Sequence, residues 1–154
     1  MLRLVKVDPL DRSTGLLLPF LTQRVLRMAR ETPSEYDGER AVRAWFRRLI
    51  AGDPSILLLG FLREDGQVGG HILATIDQDG DRRWVLVLQA RVECATREDR
   101  RRGIDFLDNW GRSYGATEML MGTSRSPRAW QRLYGFKPTR VVMARPIGAP
   151  LRKD

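Results

Sequence analysis

Three stretches in the last third of the chain decide its fold. They are Thr96-Arg-Glu-Asp-Arg-Arg-Arg-Gly-Ile-Asp-Phe-Leu-Asp-Asn-Trp-Gly111, Thr117-Glu-Met-Leu-Met-Gly-Thr123 and Ser126-Pro-Arg-Ala-Trp-Gln-Arg-Leu-Tyr-Gly-Phe-Lys-Pro138. The first has apolar residues at helical spacing, the second is a short apolar run, and the third opens on a Ser-Pro helix start. In chain order they predict a helix to about Tyr114, a strand, a short helix and a last strand over residues 138–146.

The start of the long helix has two candidate positions. Thr96 and Asp99 have the spacing of a capping box, which predicts a helix that begins at Thr96. A start near Gly103 would instead place Asp105 in the first turn. The two positions have different consequences for any anion at this helix end, because only the first turn offers free N–H groups.

The preceding residues predict a sheet with a helical pair inserted after its first strand. Strands are expected near residues 2–7, 56–63, 68–77 and 83–93, the last three as a meander joined by Asp-Gly turns. Leu18, Leu21, Val25 and Met28 predict one helix, and a second is expected from about Tyr36 to Ala51. The arginines expected on the exposed faces of these two helices are Arg24, Arg27, Arg40, Arg43, Arg47 and Arg48.

Length and composition indicate one folded domain over residues 1–154. A chain of 154 residues with 42% hydrophobic and 30% charged residues is typical of a globular protein. No apolar run is long enough to cross a bilayer, and the first residues lack a signal core, so a cytoplasmic location is expected. Cys94 is the only cysteine and His71 the only histidine, which leaves almost no material for a zinc site or a Ser-His-Asp triad.

The charge is strongly positive and comes mainly from arginine. The formal net charge is +8 and the isoelectric point is about 10.7. Such a balance favours contact with an acidic protein or a nucleic-acid surface. An arginine-heavy solvated surface without any partner explains the same composition, and the sequence leaves both explanations open.

The element order resembles that of the GNAT N-acetyltransferase superfamily. That order is β-α-α-β-β-β-α-β-α-β, an α/β (α+β) fold with a mixed, mostly antiparallel sheet and helices on both faces. Val68-Gly-Gly-His71 is similar to a frequent stretch on the family's third strand, and Ala129-Trp-Gln-Arg-Leu-Tyr-Gly-Phe136 to its short helix ending in Gly-Phe. The segment from Gly122 to Phe136 resembles a divergent branch encoded by tailed bacteriophages, which would place the protein in a virion.

The resemblance implies a site for acetyl-CoA in a gap between the fourth and fifth strands. The family holds the cofactor's pyrophosphate on N–H groups at the start of the following helix, an arrangement that helix ends favour. Carried over to this sequence, the pyrophosphate residues are Arg100, Arg101, Arg102 and Gly103. Asp105 stands where the family has a small residue, so weak or lost acetyl-CoA binding is expected.

Catalysis in the family needs a base for the attacking amine and an acid for the leaving thiolate. Glu93, at the end of the fourth strand, is the candidate base, and Tyr134 is the candidate acid. Each has a structural alternative: Glu93 as a surface carboxylate paired with arginine, and Tyr134 as a packing residue. His71 is either a proton acceptor or a hydrogen-bonded strand residue, and Cys94 is a buried or edge thiol.

Two functions therefore remain open from the sequence. One is an acetyl-CoA-dependent N-acetyltransferase acting on a small amine or a protein amine. The other is a non-catalytic GNAT-fold binding or structural component of a bacteriophage particle or its assembly, present as a homo-oligomer or in a larger assembly.

Overall fold

The helices and strands alternate along the chain in an order close to the predicted one. The computed structural model describes residues 1–31, 38–122, 127–138, 147, 148 and 150. These residues belong to two units, Met1–Gly122 and Thr123–Asp154. The first unit contains β1 (Arg3–Lys6), α1 (Arg12–Gly15), α2 (Leu18–Glu31), α3 (Glu39–Ile50), β2 (Ile56–Leu62), β3 (Val68–Asp79), β4 (Arg82–Val92), α4 (Arg97–Ser113) and β5 (Glu118–Met121); the second contains α5 (Pro127–Tyr134).

The five strands form one sheet in the order β1-β2-β3-β4-β5. Neighbouring strands from β1 to β4 are antiparallel, and β4 and β5 are parallel. The parallel pair requires a crossover, which α4 supplies. The register of β3 and β4 shifts at Leu88, because Leu73 lies opposite Gln89 whereas Ala74 lies opposite Val87.

Helices cover both faces of this sheet, which explains why β2 is buried along its whole length. On one face, α2 and α3 pack against alternate residues of the strands, including Leu58, Leu73 and Leu86. On the other face, Leu107 and Trp110 of α4 pack against Leu57, Leu59, Phe61 and Val85. The sheet is therefore the middle layer between two apolar clusters.

Most predicted elements are confirmed within these residues. The five described strands lie where expected, α4 begins after Thr96, and Pro19 lies in the first turn of α2, where proline is tolerated. The short helix α1 was not predicted, so the expected order is wrong at this point. Asp11 caps α1 by accepting a hydrogen bond from the Ser13 N–H, and four residues are too few to produce a periodic pattern. The strand expected at residues 138–146 lies outside the described residues from residue 139 onward, as does the start of the second helix before Gly38.

None of the helices in the described part of the chain is long and apolar enough to cross a membrane.

Two adjacent glycines on β3 give a matched test of how tightly β3 and β4 fit together. A Cβ on Gly70 would lie 2.7 Å from Val92 Cα and 2.9 Å from the Arg91 carbonyl oxygen, whereas one on Gly69 would meet only flexible side chains. Gly70→Ala should therefore lower the free energy of unfolding by about 1–3 kcal/mol, because the strand backbones must separate. Gly69→Ala should change it by less than about 1 kcal/mol. Equal losses in urea denaturation would contradict this packing.

Candidate functional site

The C-terminal half of β4 extends beyond its parallel neighbour. The pairing of β4 with β5 ends at Val87 opposite Met121, whereas β4 continues to Val92. The register shift at Leu88 begins directly after this last pair. A bulge turns a strand and ends regular pairing. Residues 88–92 of β4 thus have no described parallel partner, at the end of the strand where the GNAT resemblance implies the acetyl-CoA site.

Glu93 follows β4 at this end of the sheet and is held by two arginines. Its carboxylate lies 3.2 Å from the Arg24 guanidinium on α2 and 3.6 Å from that of Arg63, which follows β2. The Glu93 N–H donates to the Gly69 carbonyl oxygen at 2.9 Å. The carboxylate is 44% exposed. The arginine-paired alternative for Glu93 is therefore the one found, and two guanidinium groups engage its carboxylate oxygens.

Arg24 differs from its prediction, since its side chain is only 18% exposed. Its Nη2 atom donates to Glu93, and its Nε atom is buried with no hydrogen-bond partner among the described residues. The other arginines predicted on the surface of these two helices are exposed: Arg27, Arg40, Arg43, Arg47 and Arg48. The helical pattern placed Arg24 away from Leu21 and Val25, but could not show that the end of β4 lies beside that part of α2.

His71 lies on β3 beneath α2 and is fully buried. Its Nε2 atom donates to Oε1 of Gln89 on β4 at 3.0 Å, and Gln89 Nε2 in turn donates to the Val25 carbonyl oxygen on α2 at 3.2 Å. Because the Gln89 Oε1 atom can only accept a hydrogen bond, the proton of neutral His71 is on Nε2. The Nδ1 atom has no partner in the described residues. His71 is thus the hydrogen-bonded strand residue of the two alternatives. It bonds directly to β4, and Gln89 links it to α2.

Burial is the main reason that the pKa of His71 falls to about 4. The hydrogen bond to Gln89 acts in the opposite direction, the nearby charges of Arg24 and Arg91 lower the pKa further, and Glu93 raises it. His71 is therefore neutral near pH 7. It lacks exposed surface with which to meet a substrate.

The N-terminus of α4 is capped by its own side chains. Thr96 and Asp99 form the predicted capping box: the Asp99 N–H donates to Thr96 Oγ1 at 3.1 Å, and the Thr96 N–H donates to Asp99 Oδ2 at 3.0 Å. Asp99 is 1% exposed and also accepts from the Leu2 N–H at 3.2 Å and from Arg102 at 2.6 Å. Burial opposes the ionisation of Asp99, but these hydrogen bonds lower its pKa to about 2. A permanent carboxylate therefore lies at this helix end.

The residues carried over as pyrophosphate ligands all lie inside α4 rather than in a loop before it. Arg100 and Arg101 are exposed, and Arg102 is half-buried, where it bonds to Asp99 and to the Leu2 carbonyl oxygen. Successive residues on a helix point about 100° apart, so the three arginines do not form one face. Gly103 is buried, and a Cβ there would lie 3.1 Å from both Ile72 and Phe61. Close contact between α4 and the sheet accounts for that glycine. The assignment of these four residues to a cofactor stays a prediction.

Asp105 is exposed and lies roughly 13 Å along the helix axis from Thr96, at the usual rise per residue. The prediction of a helix start at Thr96 is confirmed, and the alternative start near Gly103 is wrong. Asp105 is therefore too far from the helix end to obstruct a phosphate there.

The residues at this helix end fit a pyrophosphate poorly. The family arrangement needs free N–H groups in the first turn, and two of the first four, those of Thr96 and Asp99, already bond to side chains. Glu98 adds a second carboxylate to the same turn. These acidic groups stabilise the helix and repel an anion.

Tyr134 is the last residue of α5, in the second unit. Its ring lies 5.4 Å from that of Trp130, which in turn contacts Phe136 at 5.8 Å, both distances between ring centroids. The Tyr134 hydroxyl has no hydrogen-bond partner among the described residues. These contacts agree with a packing role inside its own unit, and the role of Tyr134 as an acid stays a prediction.

Cys94 is an exposed thiol in the turn after β4 rather than a buried one, and its φ of 53° is unusual for a residue with a side chain. The described residues contain no group of three or more His, Cys, Asp and Glu side chains placed to hold a metal ion.

The sequence did not predict the bonds made by Gln89, Arg24 and Leu2, since each joins residues more than 60 positions apart.

Solved structures similar to this chain are acetyltransferases. A glucosamine-6-phosphate N-acetyltransferase from Arabidopsis thaliana is 11% identical, with a TM-score of 0.64 over 96% of this chain and 99% of that one. The aminoglycoside N-acetyltransferase AAC(6')-Iy, in complex with a CoA-containing bisubstrate analogue, is 18% identical with a TM-score of 0.65 over 95% and 98%. A predicted acetyltransferase from Clostridium acetobutylicum, with acetyl-CoA, is 16% identical with a TM-score of 0.64 over 96% and 97%.

The fold is that of the GNAT acetyltransferases. At these identities the similarity establishes the fold and leaves activity and ligands open. No known family profile and no curated protein sequence matches the chain. The mixed sheet with its helices is thus the shared feature, whereas the capped end of α4 must be judged from this chain's own residues.

Proposed function

We propose that this protein is N-acetyltransferase-like with a degenerate acetyl-CoA site, which binds the cofactor weakly or not at all and has little or no acetyltransferase activity. The observation that carries the proposal is Asp99. Its buried carboxylate takes two hydrogen bonds from the helix end where the fold binds a pyrophosphate. A cofactor phosphate at this helix end would meet a charged carboxylate, with two of the first four N–H groups already bonded to side chains.

The state of the candidate base supports the same conclusion. Glu93 follows the unpaired end of β4, but Arg24 and Arg63 both pair with it. A general base must be free to accept a proton from the amine, whereas this carboxylate is engaged by two guanidinium groups. If the protein retains activity, Glu93 as base and Tyr134 as acid would act on a small amine or a protein amine.

The alternative is a non-catalytic GNAT-fold protein that serves as a binding or structural component, in the cytoplasm or in a bacteriophage particle or its assembly. The ion-paired Glu93 favours this function over an enzyme, because the pairs stabilise the fold in a position where catalysis needs a free group. Saturable binding of acetyl-CoA would separate an active acetyltransferase from both of these functions.

Titration calorimetry and thermal unfolding with acetyl-CoA test the proposal. We expect no saturable heat and no rise in Tm at about 1 mM acetyl-CoA, whereas a ligand at a hundred times its Kd would add about 2.7 kcal/mol of stability. Micromolar binding that is lost on Arg101→Glu would overturn it. Arg112→Glu is the matched control, since it makes the same charge change at an exposed position in the last turn of α4.

A further inference from the structure

The outward faces of α2 and α3 carry exposed arginines that the candidate site does not use. Each helix buries one side, α2 through Leu21, Val25 and Ala29 and α3 through Val42, Phe46 and Leu49. Arg40, Arg43 and Arg47 recur on the opposite side of α3 at intervals of three and four residues, so they lie in one row. Exposed Ala44 lies within that row. We call Arg27, Arg40, Arg43 and Arg47 the arginine face.

Acidic residues compensate this charge only in part. The helices α2 and α3 together carry seven arginines and two glutamates, a net charge of +5 against +8 for the whole chain. The segment between them adds Glu35 and Asp37 in the sequence. The Glu39 carboxylate forms ion pairs with two guanidinium groups, that of Arg30 at 2.8 Å and that of Arg43 at 3.0 Å. Within the described residues, Arg27, Arg40 and Arg47 have no carboxylate partner.

The unpaired arginines do not stabilise the fold in an evident way. They contact no carboxylate in the described structure, and Arg40 lies in the first turn of α3, where a positive charge opposes the helix dipole. Arg48 shows the contrast, since it pairs with Asp53 at 2.8 Å and also bonds to Ser55. Within the described residues, the guanidinium groups of Arg27, Arg40 and Arg47 are thus available to an external anion, and Arg43 shares Glu39 with Arg30.

We propose that the arginine face binds the phosphodiester backbone of duplex nucleic acid, without reading its sequence. Arg40 and Arg47 are roughly 10 Å apart along the helix at the usual rise, with Arg43 between them, a spacing at which neighbouring phosphates of one strand can be contacted. Guanidinium groups suit phosphates because they bind two oxygens at once.

The chemistry of this face favours a phosphate backbone over an acidic protein. Protein interfaces generally centre on a buried apolar or aromatic anchor, whereas the row on α3 has only Ala44 between its arginines; exposed Ile50 lies beyond Arg47, and exposed Phe20 lies on α2. Trp45, the aromatic residue next to Ala44, packs partly buried against the core. Base stacking needs exposed aromatic rings, which this row lacks, so contacts to phosphate alone are expected. The proposal does not depend on acetyl-CoA binding.

Fluorescence anisotropy with a labelled duplex DNA of about 20 base pairs tests the proposal at about 50 and about 200 mM salt. The test variant combines Arg27→Gln, Arg40→Gln and Arg47→Gln, which breaks none of the described ion pairs. The control combines Arg3→Gln, Arg97→Gln and Arg112→Gln, three exposed arginines elsewhere, with the same change in net charge. Thermal unfolding of both variants checks that the fold is kept.

We expect the wild-type protein to bind at low salt, with an affinity that falls steeply as salt rises. The test variant should lose at least about tenfold in affinity, and its slope of log affinity against log salt concentration should decrease by the equivalent of about two to three phosphate contacts. The control should lose less than about threefold in affinity. Absence of binding at low salt, or equal losses in the two variants, would overturn the proposal. So would preferential binding of a poly-glutamate competitor over DNA, which would indicate an acidic protein partner.

Discussion

Asp99→Ala is expected to lower the free energy of unfolding by about 2–4 kcal/mol. The substitution removes the carboxylate that accepts from the Thr96 N–H, the Thr96 hydroxyl and the Leu2 N–H. It also leaves Arg102 without its ion pair, in a side chain that is only 31% exposed. Since Asp99 is almost fully buried, water cannot replace these partners without rearrangement.

Urea denaturation of Asp99→Ala and Asp105→Ala compares two aspartates on the same helix. Asp105 is exposed and has no described ion pair, so its replacement should change stability by less than about 0.5 kcal/mol. Asp99→Asn should fall between wild type and Asp99→Ala, because the amide oxygen can still accept from Thr96. Similar losses at positions 99 and 105 would show that the capping box contributes little.

The same carboxylate shows what the sequence could reveal and what it could not. Thr96 and Asp99 are three residues apart, so the capping box and the start of α4 followed from local spacing. The bond from the Leu2 N–H to Asp99 spans 97 positions and depends on the sheet bringing β1 near the end of α4. No local pattern contains that information.

The unpaired end of β4 shows the same division between what the sequence could and could not reveal. Alternating and apolar runs predicted the strands, and the resemblance implied that two of them separate. The bulge at Leu88 has no signature residue, because Leu88 is one member of a continuous apolar run from Val85 to Leu88. The site therefore emerged from the sheet's register rather than from a motif.

Glu93 stays a predicted site residue, and the sequence left its environment open between a free base and an arginine-paired carboxylate. To predict the pairing with Arg24, one would need to know that α2 lies beside the end of β4, because Arg24 and Glu93 are 69 positions apart in the sequence. Helical periodicity establishes which side of α2 is apolar, and it leaves the neighbours of the other side undetermined.

Lowering the pH from 8 to 5 should destabilise the protein by about 2 kcal/mol through His71 alone, reaching about 3 kcal/mol at pH 4. The pKa of His71 falls from 6.5 to about 4 on folding, so the unfolded chain binds a proton first as the pH drops. The stability that neutral His71 contributes is complete above pH 6.5 and is lost progressively down to the folded pKa.

The pH window separates this effect from that of the buried carboxylate. The pKa of Asp99 is lowered from 3.8 to about 2, so its contribution to stability is present above its unfolded pKa and is lost as the pH falls from about 4 towards 2. Between pH 6.5 and 5, His71 is the side chain with a shifted pKa that titrates, and it is the only histidine in the chain. Urea denaturation at several pH values therefore reports on it directly.

His71→Gln is the matched variant for this measurement. A glutamine at position 71 can still donate to Gln89 but has no charge to acquire, so the variant should be less stable at pH 8 and nearly independent of pH between 6.5 and 5. A variant that retains the wild-type pH slope would show that His71 is not the titrating group. If the free energy of unfolding of the wild-type protein does not change with pH in this range, the imidazole can carry a charge beneath α2 despite Arg24 and Arg91 nearby. Glu93 or bound water would then compensate the cost of burial.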